Sequence, residues 1–485
     1  MTSLFEFRKD AITYKLLTSR QLDSPLPVIT AAALATLLLA IALPVRTTAN
    51  PPPSFTTTPL LLANGTSEPE ISIGNDGTMA IVSLQWLFDP TAFGTALWTG
   101  PFGLVPTHQG IVDNTLQHPG KSVFGAGDAD VDIGSTGRLH ISTLVFLFNP
   151  TFKKAQIGVS AITCPSPSSG TFSISQCTAQ IIDTTNNDRP WITSDGPHVY
   201  ISYHDSGNAA LIHVQRSDDD GFTWKRVGDP IVGHGQITAI ATFNNEVGKI
   251  VADPSTHNVY QIYAAGETGV LKAHTFTLNH IVVSRSSDMG QTWTANVAFT
   301  AAPGTNLANL FPALAVDPTN GNLYAVWSDG QTASFASSTD QGSNWTAAVT
   351  VNSTPVTTAT FPWVAADNGI VDVVYYGTSA ASNLDPTADW HVFFAQLNGG
   401  SFTQTQVNAT PNHHGVICTD GDACGAGTRN LLDLFQVAID PQNGRAGIIY
   451  TDDRLTTSND PNNFACSPNQ SPPCPLPQAV LAQQN

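Results

Sequence analysis

Beyond residue 58 the chain consists of short apolar runs separated by polar turns, with no long helical periodicity. One unit reads Phe311-Pro-Ala-Leu-Ala-Val-Asp317, then the turn Pro-Thr-Asn-Gly-Asn, then Leu323-Tyr-Ala-Val-Trp-Ser-Asp329. The pattern returns as Arg189 to Asp195 with Val199 to Asp205, as Phe361 to Asp367 with Val371 to Tyr376, and as Phe435 to Asp440 with Ala446 to Tyr450. Weaker copies begin at Glu68, Asp128 and Gly248. The residues that open the turns are Gly74, Gly134, Asp195, Asp253, Asp317, Asp367 and Asp440, in steps of 50 to 73 residues. Each step has room for four strands and their loops, one propeller blade. The predicted architecture is an all-β propeller of seven four-stranded blades. A six-bladed ring is the alternative if one weaker copy is not a blade.

The seventh unit runs out early. After Tyr450 one more strand-like run follows, Gln478 to Gln483, and no fourth. Thr56-Thr-Thr-Pro-Leu-Leu-Leu-Ala63 stands before the first inner strand, where a fourth strand belongs. The two ends are therefore expected to complete one blade together, which removes exposed edges.

The start of the chain has a different pattern. Residues 1–26 are polar and carry Arg8, Lys9, Lys15 and Arg20, which predicts a cytoplasmic side. Residues 27–45 are apolar and uncharged, barely enough to span a bilayer. A cleavable signal ending near Thr47-Thr48-Ala49 and a retained anchor both remain open. A Pro/Thr tether over 46–57 leads to the propeller at 58–485. The protein is thus expected outside the cell or at its surface, with membrane contact only through this segment.

Composition agrees with export. The net charge is −18, from 19 Lys+Arg against 37 Asp+Glu, which argues against nucleic acid and anionic membranes as partners. The six cysteines fall into three close pairs. Local disulfides Cys164–Cys177, Cys418–Cys424 and Cys466–Cys474 are expected, among the 15 connectivities that six cysteines allow. No pair has C-x-x-C spacing and no histidine cluster has zinc-site spacing, so a structural zinc is not expected.

Three segments carry the sequence S-x-D-x-G-x-[TN]-W: Ser217, Asp219, Gly221 and Trp224; Ser286, Asp288, Gly290 and Trp293; Ser338, Asp340, Gly342 and Trp345. Each follows a third strand. A carboxylate that accepts turn N–H groups, a glycine at positive φ and a tryptophan that packs between sheets suit a hairpin. They resemble the Asp boxes of the sialidase superfamily, over about residues 58–485. The resemblance implies a propeller whose boxes are structural and lie opposite the active face. True sialidases carry Phe-Arg-Ile-Pro, two further arginines, a Tyr/Glu pair and an Asp acid/base. Here the nearest match is Asp188-Arg189-Pro190-Trp191, with proline directly after arginine. The chain looks more like exported propellers labelled sialidase-like from their boxes alone.

Topology then sorts the candidates. If the boxes mark the bottom, inner-strand starts and second-strand ends form the top. Arg189, Arg429 and Arg454 are the arginines this places there. Together they would suit a carboxylate ligand; otherwise each pairs with a nearby carboxylate, Asp188, Asp433 and Asp453 respectively. Trp191 and His204 join them as candidate substrate contacts. His204 with Asp205 offers an acid/base pair or a cap on a loop. A tyrosine nucleophile needs a carboxylate beside it, and Tyr263 with Glu267 is the most available pair. Asp128, Asp130 and Asp132, or Asp420 and Asp422, could hold calcium; no other cofactor is expected. Two function classes stand: a glycoside hydrolase, of exo-sialidase type if the resemblance is followed, and a non-catalytic propeller binding a glycan or protein at the cell surface.

Overall fold

The computed structural model describes residues 52–85, 94–149, 154–206, 211–235, 237, 245–266, 277–421, 424–460, 463, 465–467 and 470–485. The N-terminal region, the apolar segment, Glu267 and Asp422 lie outside the described residues. Among those described, no helix is long and apolar enough to cross a membrane.

The seven repeats are seven blades. Blade 1 is β2 (Thr66–Ile73), β3 (Thr78–Gln85), β4 (Thr95–Pro101) and β5 (Thr107–Ile111). Blade 2 is β6 (Ser122–Ile133), β7 (Leu139–Asn149), β8 (Lys154–Cys164) and β9 (Thr178–Asp183). Blade 3 is β10 (Asn187–Asp195), β11 (His198–Asp205), β12 (Leu211–Ser217) and β13 (Lys225–Arg226). Blade 4 is β14 (Asn245–Ala252), β15 (Val259–Ala265), β16 (His280–Ser286) and β17 (Thr294–Thr300). Blade 5 is β18 (Ala313–Val316), β19 (Leu323–Ser328), β20 (Ala333–Ser338) and β21 (Val349–Thr350). Blade 6 is β22 (Thr358–Asp367), β23 (Ile370–Thr378), β24 (Asp389–Asn398) and β25 (Ser401–Gln406). Blade 7 is β27 (Gln436–Ile439), β28 (Ala446–Ser458) and β29 (Cys474–Gln484), finished by β1 (Phe55–Pro59). Neighbouring strands run antiparallel throughout.

The ring closes as expected, with β1 antiparallel to β29 from Phe55↔Gln484 to Pro59↔Val480. A two-residue strand, β26 (His413–His414), is an addition to the four-strand pattern. It pairs with Asp389 and Trp390, the end of β24 that β25 does not reach. An edge left open by a short fourth strand is thereby covered.

Each inner strand touches the next, β2 against β27 included. Gly248 shows how tight this is: a Cβ there would lie 1.9 Å from the Pro312 carbonyl oxygen of the neighbouring blade. Between blades lie apolar layers such as Trp191, Phe311, Trp363, Tyr376 and Phe435. All three disulfides are the local ones, with Cα separations of 4.1, 5.8 and 5.1 Å.

The Asp boxes are turn scaffolds. In blade 4, Asp288 accepts from the Ser286 hydroxyl (2.8 Å), the Thr292 N–H (2.8 Å) and the Thr292 hydroxyl (2.6 Å). The Gly290 N–H donates to Ser286 Oγ, and the Trp293 indole N–H donates to the Gly290 carbonyl at 3.0 Å. Asp219 and Asp340 repeat the arrangement. Several charge-assisted bonds converge on one carboxylate, so Asp288→Ala is expected to cost about 1–2 kcal/mol. A chemical melt that shows less than a few tenths of that loss would mean that water replaces the carboxylate without penalty.

Candidate functional site

The site is built by repetition. The residues six positions before each turn opener are Glu68, Asp128, Arg189, Val247, Phe311, Phe361 and Leu434. Those four positions before are Glu70, Asp130, Trp191, Lys249, Ala313, Trp363 and Gln436. Both sets lie on the inner strands or, for Phe311 and Leu434, just before them, and they recur at two levels where the inner strands converge. Blades 1 to 4 supply mostly charge and blades 5 to 7 supply mostly apolar groups. The blades are locked to each other: Asp130 Oδ2 accepts the Ile192 N–H of the next blade at 2.7 Å, and Gln436 Oε1 accepts the Ile71 N–H across the ring closure at 2.6 Å.

The backbone is irregular here for a sequence reason. Inner-strand registers slip between Ser67 and Glu70, Asp188 and Trp191, and Thr360 and Trp363. Pro69, Pro190 and Pro362 stand in these gaps, where a missing N–H breaks the ladder. The residue before each proline has positive φ: Glu68 53°, Arg189 54° and Phe361 55°. Non-glycine residues in that region are strained by about 1 kcal/mol or more. The bulges re-aim these side chains where the inner strands converge.

Carboxyl groups outnumber cations in this mouth. Glu68 is buried and hydrogen-bonded to Asp128, and it accepts the Asp433 N–H at 3.2 Å. Burial, then repulsion from Asp128 and Asp433, pushes Glu68 well above the carboxylate range. Asp128 lines the cleft at the surface and is pushed up to about 7 by burial and by Asp188. Glu246 also rises to about 7 through burial, despite Arg189. Glu70 is fully buried, neither of its oxygens has a hydrogen-bond partner among the described residues, and burial raises it strongly. Lys249 is ion-paired with Asp130 and stands 6.0 Å from the Trp191 ring centroid.

Two of the three candidate arginines feel the same carboxylates, Asp128 and Asp433. Arg189 pairs with Glu246 (3.0 Å) and Asp188 (3.5 Å) and lies 4.9 Å over the Phe311 ring. Arg429 is paired with Asp433. Burial opposes both charges, and the shared carboxylates Asp128 and Asp433 help to overcome it. Arg454 does not join them. It is half-exposed and sits 3.8 Å from Asp389, not on Asp453. Asp453 is buried, and its Oδ2 holds His413 (2.9 Å) and Asn430 (2.7 Å).

The other candidates separate. His204 does not pair with Asp205: the carboxylate of Asp205 binds His213 Nε2 at 3.0 Å. His204 is pushed down to about 4 by burial and by Arg189, and so is neutral near pH 7. Trp191 is buried, with its indole N–H on the Val247 carbonyl, and forms the floor beside Phe311 and Trp363. Tyr263 is buried within blade 4 with its hydroxyl on Ser284, and burial pushes it up to about 12. Its expected partner Glu267 lies outside the described residues. Asp128, Asp130 and Asp132 do not converge on a calcium site, because Glu68, Lys249 and the Ser194 hydroxyl take them separately. Among the described residues no three His, Cys, Asp or Glu groups are placed to hold a metal.

Glu68, Glu70, Lys249 and Phe311 were not among the sequence candidates. The signal was available: they occupy the same repeat positions as Asp128, Asp130 and Arg189. The cleft lined by Asp128, Arg189, Pro190, Trp191 and Leu434 is too narrow for a water-sized sphere. Asp188, beside it, keeps about a third of its side chain exposed.

No family model matches the chain, and no curated protein matches it. Solved structures do. A protein of unknown function from Dyadobacter fermentans is 12% identical, with 89% of this chain and 100% of that one covered and a TM-score of 0.45. The endosialidase of phage phi92 is 10% identical over 89% of this chain and 69% of that one, with a TM-score of 0.46. The GH93 α-L-arabinofuranosidase of Fusarium graminearum is 14% identical over 66% and 92%, with a TM-score of 0.43. These likenesses concern the propeller architecture and say nothing of the mouth. The protein is a seven-bladed β-propeller with Asp-box turns and a carboxyl-rich mouth opposite those turns.

Proposed function

We propose that the mouth binds a glycan across its rim and that Asp128 is the proton donor in hydrolysis of a glycosidic bond. The observation that carries this is a pair of adjacent carboxyls in unlike settings. Asp128 shares a hydrogen bond with the buried Glu68 and holds its proton up to about pH 7. Asp188 stands beside it against Arg189, with a third of its side chain open. One carboxyl kept protonated next to one held by a cation is the arrangement that glycoside cleavage uses, an acid and a base or nucleophile. Arg189 and Arg429 are already paired with protein carboxylates, and the mouth has carboxyls in excess. This weighs against an acidic terminal sugar and favours a neutral one.

The test is a panel of chromogenic glycosides, neutral furanosides and pyranosides together with sialosides. Turnover of a neutral glycoside is expected, falling by about 10²–10⁴ in Asp128→Asn, the usual scale for a lost general acid. Turnover of sialosides alone would reverse the charge argument. Glycan binding without turnover of any glycoside would favour the non-catalytic reading, for which the closed cleft is the supporting observation.

A further inference from the structure

The cations of this acidic chain are not evenly spread. Three of the lysine and arginine side chains, Arg216, Lys225 and Arg226, line one cavity of about 450 Å³. It lies on the box side of the ring, between the end of β12, strand β13 and the blade-4 Asp box, whose Gln291 closes its far wall. The mouth is on the opposite face. Gly228 forms part of the wall and is fixed to the box by its N–H on the Gly290 carbonyl, at 2.8 Å.

Two carboxylates offset these cations, and both are shared. Asp218 takes Arg216 (2.7 Å), Lys225 (2.5 Å) and His198 (2.9 Å). Asp229 takes Arg226 (2.6 Å) and His213 (3.4 Å). The three permanent cations thus exceed the two carboxylates that face them. Donor capacity is also left over. Lys225, with 57% of its side chain exposed, uses one of three ammonium donors on Asp218. Arg226, 41% exposed, makes its contacts through Nη2 and, among the described residues, none through Nε or Nη1. Arg216 is different: it is buried, and it anchors the wall through the Met289 carbonyl.

We propose that this cavity is a second glycan site, which takes a sugar bearing a sulfate or carboxylate group. Its volume exceeds what a lone oxyanion needs and accommodates one substituted sugar ring. Lys225 and the open edge of Arg226 supply the charge, as guanidinium and ammonium groups do for oxyanions. The overall charge of −18 limits the contact to this local patch, so a long polyanion gains little beyond one ring. The proposal does not depend on chemistry at the mouth.

The experiment is calorimetric titration of the full chain with four probes: a chondroitin sulfate tetrasaccharide, its desulfated uronate counterpart, a neutral maltotetraose and sodium sulfate. The two charged oligosaccharides are expected to bind, maltotetraose is not, and sodium sulfate binds more weakly than either. The double variant Lys225→Gln, Arg226→Gln is expected to weaken binding of the charged oligosaccharides by about tenfold or more, the effect of roughly one lost charge-assisted contact. Its melting temperature should stay close to the parent's because both side chains are exposed. Arg285→Gln, which removes a partly buried arginine that flanks the blade-4 box outside the cavity lining and donates to Gln341 Oε1, should leave binding unchanged. Equal binding of maltotetraose, unchanged affinity in the double variant, or no binding of any charged probe at millimolar concentration would overturn the proposal. Sodium sulfate binding as tightly as the oligosaccharides would reduce the cavity to a plain oxyanion site and overturn the glycan assignment.

Discussion

Replacing Arg189 by methionine is expected to destabilise the protein by about 2–4 kcal/mol, whereas Arg454→Ala should stay within about 0.5 kcal/mol. Arg189 has 17% of its side chain exposed and serves Glu246, 18% exposed, and Asp188. Without the guanidinium, Glu246 keeps its place in the mouth among Asp128, Asp188 and Asp433 with no cation on it. Removing one member of such a pair costs more than the pair contributes, since a carboxylate remains desolvated. The stack over Phe311 adds a smaller loss. Arg454 and Asp389 are both about half-exposed and 3.8 Å apart, where water and salt screen the attraction. Urea melts of the two variants at neutral pH make the comparison. A loss at Arg189 no larger than that at Arg454 would show that the mouth cluster relaxes into solvent.

The second large effect is on pH dependence. Stability is expected to rise as pH falls from 8 toward 5, and Asp372→Asn should remove part of that slope. Asp372 is fully buried, accepts one bond from Gln396 at 3.0 Å, and leaves its other oxygen without a hydrogen-bond partner among the described residues. Burial pushes its carboxyl up to about 7. Such a group binds more protons folded than unfolded between about pH 4 and 7. Its contribution is therefore complete below the unfolded value of about 3.9 and is lost as pH rises through 7. Asp128 and Glu246 act in the same direction over the same window. The box carboxylate Asp340, lowered to about 2 by its hydrogen bonds, acts oppositely, and its contribution is lost as pH falls toward 2. At pH 8 the asparagine variant should be more stable by about 2–4 kcal/mol, and at pH 4 the difference should nearly vanish. Equal stability of the two proteins at pH 8 would mean that the Asp372 carboxylate is solvated there.

The repeat was legible because it is local chemistry. Each copy places alternating apolar residues before an Asp or Gly that opens a turn, and hydrophobic patterning with turn chemistry decides strands without knowledge of neighbours. The missing fourth strand of blade 7 and the spare strand before blade 1 were visible as a count, so β1 beside β29 could be anticipated. The disulfides followed from short separations, which make local closure the favoured choice. The site was only partly legible. Topology grouped Arg189 and Arg429 with Asp188 and Asp433 on one face. Face alone did not say which of them touch. Arg454 sits on that same list of candidates, yet its partner Asp389 comes from a different blade, 65 residues earlier in the chain. His204 and Asp205 are adjacent in sequence and point to opposite sides of a strand, so Asp205 finds His213 instead.

The sequence alone favoured seven blades over six and carried the closure of the ring, the local disulfide pairs and the three Asp-box turns. These depend on spacing and on residue type within one repeat. Only the tertiary structure decided which charges neutralise one another. Inner strands from different blades approach closely enough for Glu68 to meet Asp128, for Lys249 to reach Asp130 across 119 residues, and for Glu246 to take Arg189. The physical reason is that burial and Coulomb forces act through space over a few ångströms. A repeat alignment fixes where a residue lies along its own blade, while the charge it meets is set by how seven blades converge on one axis.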